Sequence, residues 1–167
     1  MVWQCLYRRA FLQAHQLRMP EGLLFEDELF QAQALLLARR ARMSDVCILR
    51  YRQRPGSIMK TFHRSADWGL HYLEICRRLQ ALCTDSTPGT RMLRRRVGQI
   101  ALNVAKNIVA YDAAAETHAQ SFSFLQTHKH ELAAFAWASR DPVIAAQGIL
   151  LDASPSFFLT LYRRARS

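Results

Sequence analysis

Two acidic residues, Glu26 and Asp27, stand at the start of the clearest amphipathic helix in the sequence. A carboxylate can act as a general base, and the positive end of the helix dipole keeps a carboxylate in this position ionised. The same residues also have an ordinary structural role, because acids in the first turn stabilise a helix. Their position alone favours the structural role over the catalytic one.

A second group of polar side chains follows in the segment YRQRPGS. The guanidinium groups of Arg52 and Arg54 suit the oxygens of a diphosphate. The hydroxyl of Ser57 can reach the same anion, and Tyr51 opens the segment. The alternative is a solvated edge strand that carries arginines.

The elements that must position these groups differ between residues 1–60 and 61–167. In the first part, the pattern of apolar residues and turn formers predicts two helices, a loop and a strand. These are a helix over 6–16, a loop over 19–25, a helix over 26–42 and a strand over 46–52. Trp3 and Tyr7 are expected to pack beneath the acidic pair, because large aromatic residues at helical spacing usually belong to a core.

The second part of the chain predicts helices only. Their apolar stripes cover residues 68–82, 93–111, 125–139 and 142–151, with a turn-rich linker over 84–90 and a short basic helix over 156–166. Because these stripes must bury one another, we expect a small helical bundle packed against the first part. The fold class predicted is therefore mainly α, with one or two short strands.

The chain of 167 residues carries 23 Lys and Arg against 13 Asp and Glu, a formal net charge of +10. Only three of the 23 are lysines. This balance favours acidic partners such as phosphates, anionic lipid or nucleic acid, although an arginine-rich coding bias explains it equally well. Nucleic acid is the least favoured of these, since no helix-turn-helix, zinc or RNA-binding motif is present.

The four cysteines form no C-x-x-C pair, which indicates reduced thiols and a cytoplasmic protein. No apolar run has the length of a signal peptide core or a membrane span. Arg91, Arg94, Arg95 and Arg96 precede an apolar helix. This arrangement can lie on the inner surface of an anionic membrane, or can simply be a solvated helix end. The His128-x-His130 pair points apart on a helix, so no metal site is predicted.

Three segments occur in order in the first part: WxxxYRRxFL over 3–12, PEGLLFEDELF over 20–30 and YRQRPGSIM over 51–59. Together they resemble the C-terminal section of the catalytic domain of family 2 glycosyltransferases, enzymes of the GT-A type that build bacterial polysaccharides. The resemblance covers residues 1–60. It implies the acceptor-side part of an α/β GT-A domain there, followed by a helical extension over 61–167.

The resemblance also assigns roles to the residues described above. By position, Asp27 matches the family's catalytic base, with Glu26 beside it. Tyr51, Arg52, Arg54 and Ser57 match a segment close to the donor phosphates or the acceptor. The implied substrates are a nucleotide-sugar donor and a polysaccharide or lipid-linked acceptor. Leu49 and Met19 stand where relatives often carry aromatic residues, which leaves the acceptor preference open.

The family's nucleotide-binding half, with its Asp-x-Asp metal motif, has no counterpart in the sequence. We therefore expect the chain to be inactive alone, and to associate with that missing N-terminal half or with itself. No cofactor is expected on this chain, and a divalent metal, Mg²⁺ or Mn²⁺, only with the missing half. Two alternatives remain open: a basic helical module that binds nucleic acid or another acidic partner, and a helical adaptor that completes another glycosyltransferase in trans.

Overall fold

The computed structural model describes residues 2–47, 49, 50, 52, 66–110 and 115–164, and most of them are helical. A short 3-10 helix, Val2–Gln4, comes first. The α-helices, numbered in chain order, are α1 (Arg9–Ala14), α2 (Glu26–Leu37), α3 (Ala66–Ala81), α4 (Pro88–Ala110), α5 (Ala115–Ala138), α6 (Pro142–Ala153) and α7 (Pro155–Arg164). The chain divides into two compact units, an N-terminal unit (Met1–His63) and a helical unit (Arg64–Ser167). The prediction of a mainly α protein is confirmed.

The prediction of a strand over residues 46–52 is wrong for those of its residues that the structure describes. Positions 46, 47, 49, 50 and 52 have no regular secondary structure. A strand needs neighbouring strands to pair with, and none occurs in the described ranges. The alternating side chains also have no core to cover, since Val46 is 70% and Leu49 48% exposed.

Helix α2 begins at Glu26, as predicted, but ends at Leu37 instead of continuing to residue 42. Its buried side chains are Leu29, Phe30 and Ala34. The next position of the predicted stripe, Leu37, is 43% exposed, so packing does not support further turns. The backbone is already extended at Ala38.

The helical unit is a bundle in which each helix packs mainly against its neighbours in the sequence, with further contacts from α3 to α5 and from α4 to α6. Its core is aliphatic. The largest fully buried side chains there include Leu73, Ile75, Leu79, Val97, Val104, Leu125, Leu132 and Leu151. The predicted helices of this part are present, although α5 begins at Ala115 rather than at residue 125.

Two glycines allow α4, α5 and α6 to approach closely. A Cβ atom at Gly98 would lie 2.8 Å from both Ile144 Cγ2 and Ser139 Cβ. A Cβ atom at Gly148 would lie 2.6 Å from the Cβ of Ala136. These distances are far shorter than van der Waals contact. The helices can therefore pack this closely only because glycine has no side chain at either position.

The connection between α3 and α4 is organised by Asp85. Its Oδ1 accepts hydrogen bonds from Thr90 Oγ1 at 2.6 Å, Thr87 Oγ1 at 3.0 Å and the Thr87 backbone N–H at 3.1 Å. Arg94 Nη2 donates to the carbonyl oxygens of Cys83 and Asp85, at 2.8 and 2.6 Å. The hydrogen bonds from Thr90 and Thr87 lower the pKa of the Asp85 carboxyl below its ordinary value of 3.8.

We expect the stability of the helical unit to fall when Asp85 is protonated. Because its pKa is lower in the folded state than in the unfolded state, its contribution is complete above about pH 4 and is lost as the pH falls through the folded-state value. Urea unfolding at about pH 6 and about pH 3 measures this loss. The Asp85→Asn variant should show a smaller difference between the two pH values than the natural chain. An equal difference in both proteins would contradict the assignment.

Candidate active site at the start of helix α2

The acidic pair predicted to be catalytic lies in the first turn of α2, and both Glu26 and Asp27 are half-buried. The residue before them, Phe25, has a left-handed backbone with φ 65° and ψ 30°. A bulky residue rarely adopts this conformation, which costs about 1–3 kcal/mol. The chain thus enters α2 through a strained residue, and strain of this kind concentrates at functional sites.

An aromatic side chain, that of Tyr7, lies within electrostatic reach of Asp27. The ring of Tyr7 packs edge-on against Phe30, with 5.3 Å between the ring centroids, as expected for a large aromatic residue. Its hydroxyl oxygen is buried. Burial, with smaller contributions from Cys5 and the negative charge of Asp27, raises the pKa of Tyr7 to about 12. Tyr7 is therefore a neutral phenol within electrostatic reach of Asp27.

Of the predicted arginine segment, residues 51–57, the structure describes only Arg52. Arg52 is exposed and has no regular secondary structure. In the described ranges, no hydrogen bond or ion pair joins it to Asp27. Tyr51, Arg54 and Ser57 lie outside the described residues. The structure thus places Glu26 and Asp27 in one helix turn, with Tyr7 within electrostatic reach of Asp27. The substrate-binding role of the arginine segment stays a prediction.

A second candidate site, here called the arginine cleft, lies in the helical unit between the first turns of α4 and the α5–α6 connection. It has a volume of about 280 Å³. Its polar lining residues are Arg91, Arg94, Arg95, Ser139, Arg140 and Asp141. Four guanidinium groups and one carboxylate give the lining a formal charge of +3. The sequence indicated the three arginines of α4, whereas Arg140 joins them only in the folded chain.

The carboxylate of the arginine cleft is fully engaged by the protein. Asp141 Oδ1 caps α6 by accepting the backbone N–H groups of Val143 and Ile144, at 3.0 and 3.1 Å. The other oxygen, Oδ2, lies 3.0 Å from Arg95 Nε. Asp141 therefore neutralises one arginine and closes the helix end, and it leaves the other three guanidinium groups without an acidic partner in the lining.

The two histidines of the His128-x-His130 pair turn to different acidic partners. His130 Nδ1 lies 2.5 Å from Asp152 Oδ1, and His128 Nδ1 lies 4.0 Å from Glu131 Oε2. Glu131 also accepts two hydrogen bonds from Arg77, at 2.6 and 2.9 Å. No group of three or more potential metal ligands occurs in the described part of the chain.

Two further observations bear on function. Among the described residues, no helix combines the length and the apolar character needed to cross a membrane. Comparison with protein-family models, curated proteins and solved structures gives no match to this chain. The functional assignment therefore depends on its own residues and their geometry.

Proposed function

We propose that residues 1–60 are the acceptor-side section of a family 2 glycosyltransferase of the α/β GT-A type, and that residues 61–167 are a helical extension of it. The observation that carries the proposal is the Glu26–Asp27 pair at the start of α2, which follows the strained backbone of Phe25. The half-buried Tyr7 lies within electrostatic reach of Asp27. The ordered resemblance of three segments supplies the family.

In the proposed reaction, Asp27 accepts the proton of an acceptor hydroxyl while the hydroxyl oxygen attacks the anomeric carbon of the donor sugar. The bond from that carbon to the nucleoside diphosphate breaks on the opposite side, so the configuration inverts. The N-terminal end of α2 favours the ionised carboxylate that this role requires. Tyr7, with its pKa raised to about 12, stays protonated within electrostatic reach of the base.

The arginine segment would serve the other side of the bond. The guanidinium groups of Arg52 and Arg54 suit the charge that develops on the departing diphosphate. Tyr51 and Ser57 would complete the contact with the donor phosphates or the acceptor. The acceptor would be a polysaccharide or a lipid-linked sugar.

A complete site also needs a nucleotide-binding half, in the same polypeptide or another. We assign the divalent metal, Mg²⁺ or Mn²⁺, to that half, because this sequence contains no Asp-x-Asp pair and the described residues group no three metal-ligating side chains. When bound, the metal would neutralise the diphosphate. The residues of this chain bind the acceptor and hold its proton.

The cytoplasm is the proposed location, because the four cysteines are free thiols in the structure and a nucleotide-sugar donor is a cytoplasmic substrate. Contact with the inner membrane would bring the chain to a lipid-linked acceptor. Its macromolecular partner would be the nucleotide-binding half or a second copy of the chain.

The Asp27→Asn variant tests the assignment of the base. The chain is combined with the nucleotide-binding half of a family 2 glycosyltransferase, and sugar transfer is measured with a panel of nucleotide-sugars. Loss of the base should lower kcat about 10²- to 10⁴-fold, with the circular dichroism spectrum unchanged. Glu21→Gln, which neutralises an exposed acid in the loop before α2, is the matched control and should leave kcat unaltered.

Two results would overturn this proposal. Transfer that is unaffected by Asp27→Asn would exclude Asp27 as the base. No transfer from any nucleotide-sugar by the combined halves would exclude the glycosyltransferase assignment itself.

A second candidate function is a basic helical module that binds nucleic acid or another acidic partner, and the +3 lining of the arginine cleft favours it. Binding to duplex or single-stranded nucleic acid should weaken steeply with salt, because each neutralised phosphate releases counterions. Fluorescence anisotropy at low salt measures this binding, and its absence would dismiss nucleic acid as the partner.

A further inference from the structure

We propose that the arginine cleft of the helical unit binds a phosphate-bearing anion, such as a diphosphate group. The cleft lies entirely within this unit, between the start of α4 and the α5–α6 connection. Nothing in the proposed glycosyl transfer uses it, so the two proposals stand or fall separately.

The first argument is an unused hydrogen-bond donor. Arg94 directs Nη2 to the carbonyl oxygens of Cys83 and Asp85, while its Nη1 is buried without a partner among the described residues. A buried charged donor without an acceptor costs free energy, and such groups are rare in native proteins. Because Nη1 is inaccessible to solvent, the Arg94 side chain must shift toward the cleft that it lines before an anion there supplies the missing acceptor.

The second argument is Arg140, which lies between α5 and α6. Its backbone is left-handed, with φ 56°, a conformation that favours glycine or asparagine over arginine. Its guanidinium group makes no hydrogen bond or ion pair in the described part of the chain. This arginine is exposed, so its guanidinium group is available to an external anion.

The third argument is the balance of charge. Among the residues that the structure describes, Asp141 is the only acid in the lining, and its oxygens are occupied by Arg95 and the cap of α6. Arg91 donates to the Ser86 carbonyl oxygen, at 3.1 Å, and to no other group in the described ranges. Guanidinium groups that lack carboxylate partners suit phosphate oxygens.

The size of the cleft limits the ligand. A volume of about 280 Å³ lies just below the range of about 300–1,000 Å³ that is typical of small-molecule sites. It accommodates one or two phosphoryl groups, and the rest of a larger molecule would lie outside. The phosphate can belong to a soluble compound or to a lipid headgroup, and the experiment separates these sources.

Titration calorimetry with inorganic pyrophosphate at low salt is the direct test. We expect saturable binding to the full chain, and binding about 10-fold weaker or more in Arg140→Gly, because a charge-assisted hydrogen bond is lost. Glycine suits the left-handed backbone at this position, so the variant should fold at least as well as the natural chain.

Arg96→Gln is the matched control. Like Arg140→Gly, it removes one positive charge, but Arg96 lies on α4 outside the cleft lining. It should weaken pyrophosphate binding by less than about twofold, as expected for a screened, exposed charge. An equal loss in Arg96→Gln and Arg140→Gly would mean diffuse attraction to a basic surface and would overturn the proposal.

Vesicles of phosphatidylcholine, with and without phosphatidic acid, identify the source of the phosphate. We measure whether the protein sediments with the vesicles that contain phosphatidic acid. If Arg140→Gly abolishes this sedimentation, the cleft binds a lipid headgroup. Pyrophosphate binding without such sedimentation would indicate a soluble ligand. Absence of both Arg140-dependent effects would overturn the proposal.

Discussion

Replacing Gly148 with alanine is expected to lower the free energy of unfolding of the helical unit by about 2 kcal/mol, the usual size of an overpacking effect. The added methyl group would lie 2.6 Å from Ala136 Cβ and 3.2 Å from the carbonyl oxygen of Ala133. Neither atom belongs to a flexible side chain that could move aside. Helix α6 must therefore shift away from α5, and the midpoint of urea unfolding should fall.

The sign of this result is diagnostic, because helix propensity alone predicts a gain of about 1 kcal/mol for glycine to alanine. Ala146, exposed on the same helix, supplies the matched control. Ala146→Gly should cost about 1 kcal/mol, which measures propensity without packing. A more stable Gly148→Ala variant would show that α5 and α6 are not in close contact at this position.

Replacing Leu73 with alanine is expected to cost about 3 kcal/mol of unfolding free energy, within the range measured for buried leucines. Leu73 lies on α3 and is 0% exposed, so the variant loses apolar contacts and leaves a cavity. Chemical denaturation followed by circular dichroism measures the change.

The same substitution on the same helix provides the comparison. Leu70 is 48% exposed, and Leu70→Ala should cost less than about 1 kcal/mol, as is usual for surface positions. Equal losses for Leu70→Ala and Leu73→Ala would contradict the packing of α3 described above.

Helix starts could be predicted from the sequence better than helix ends. The acidic residue Glu26 marks the start of α2, and Pro142 marks the start of α6. Both predicted starts are confirmed. The end of α2 has no glycine or proline to mark it. Arginines at its predicted C-terminus favour a helix through the dipole, but this weak effect does not replace the packing that is lost beyond Ala34.

The predicted strand illustrates a different limit. Alternation over residues 46–52 describes a side-chain pattern, whereas a strand forms only where another strand supplies backbone partners. A single sequence segment does not reveal whether such a partner exists. The described residues contain none.

The sites differ in how far sequence could predict them. Glu26 and Asp27 are adjacent in the chain, so their shared helix turn could be predicted directly. Arg140 is far from Arg91 in sequence, and only the packing of α4 against α5 and α6 brings it into the arginine cleft. The sequence around Arg140 predicts only its backbone conformation, because a residue that follows a helix end often adopts a left-handed backbone.

The order of the helices has a consequence for how the molecule acquires its structure. Because each helix of the second unit packs mainly on those adjacent in sequence, most native interactions close short loops, and topologies of this kind fold within microseconds to milliseconds. During synthesis, the preceding helix, against which each new helix packs, would already have left the ribosome. The nascent chain would therefore keep its apolar stripes in water only briefly, which limits its exposure to aggregation.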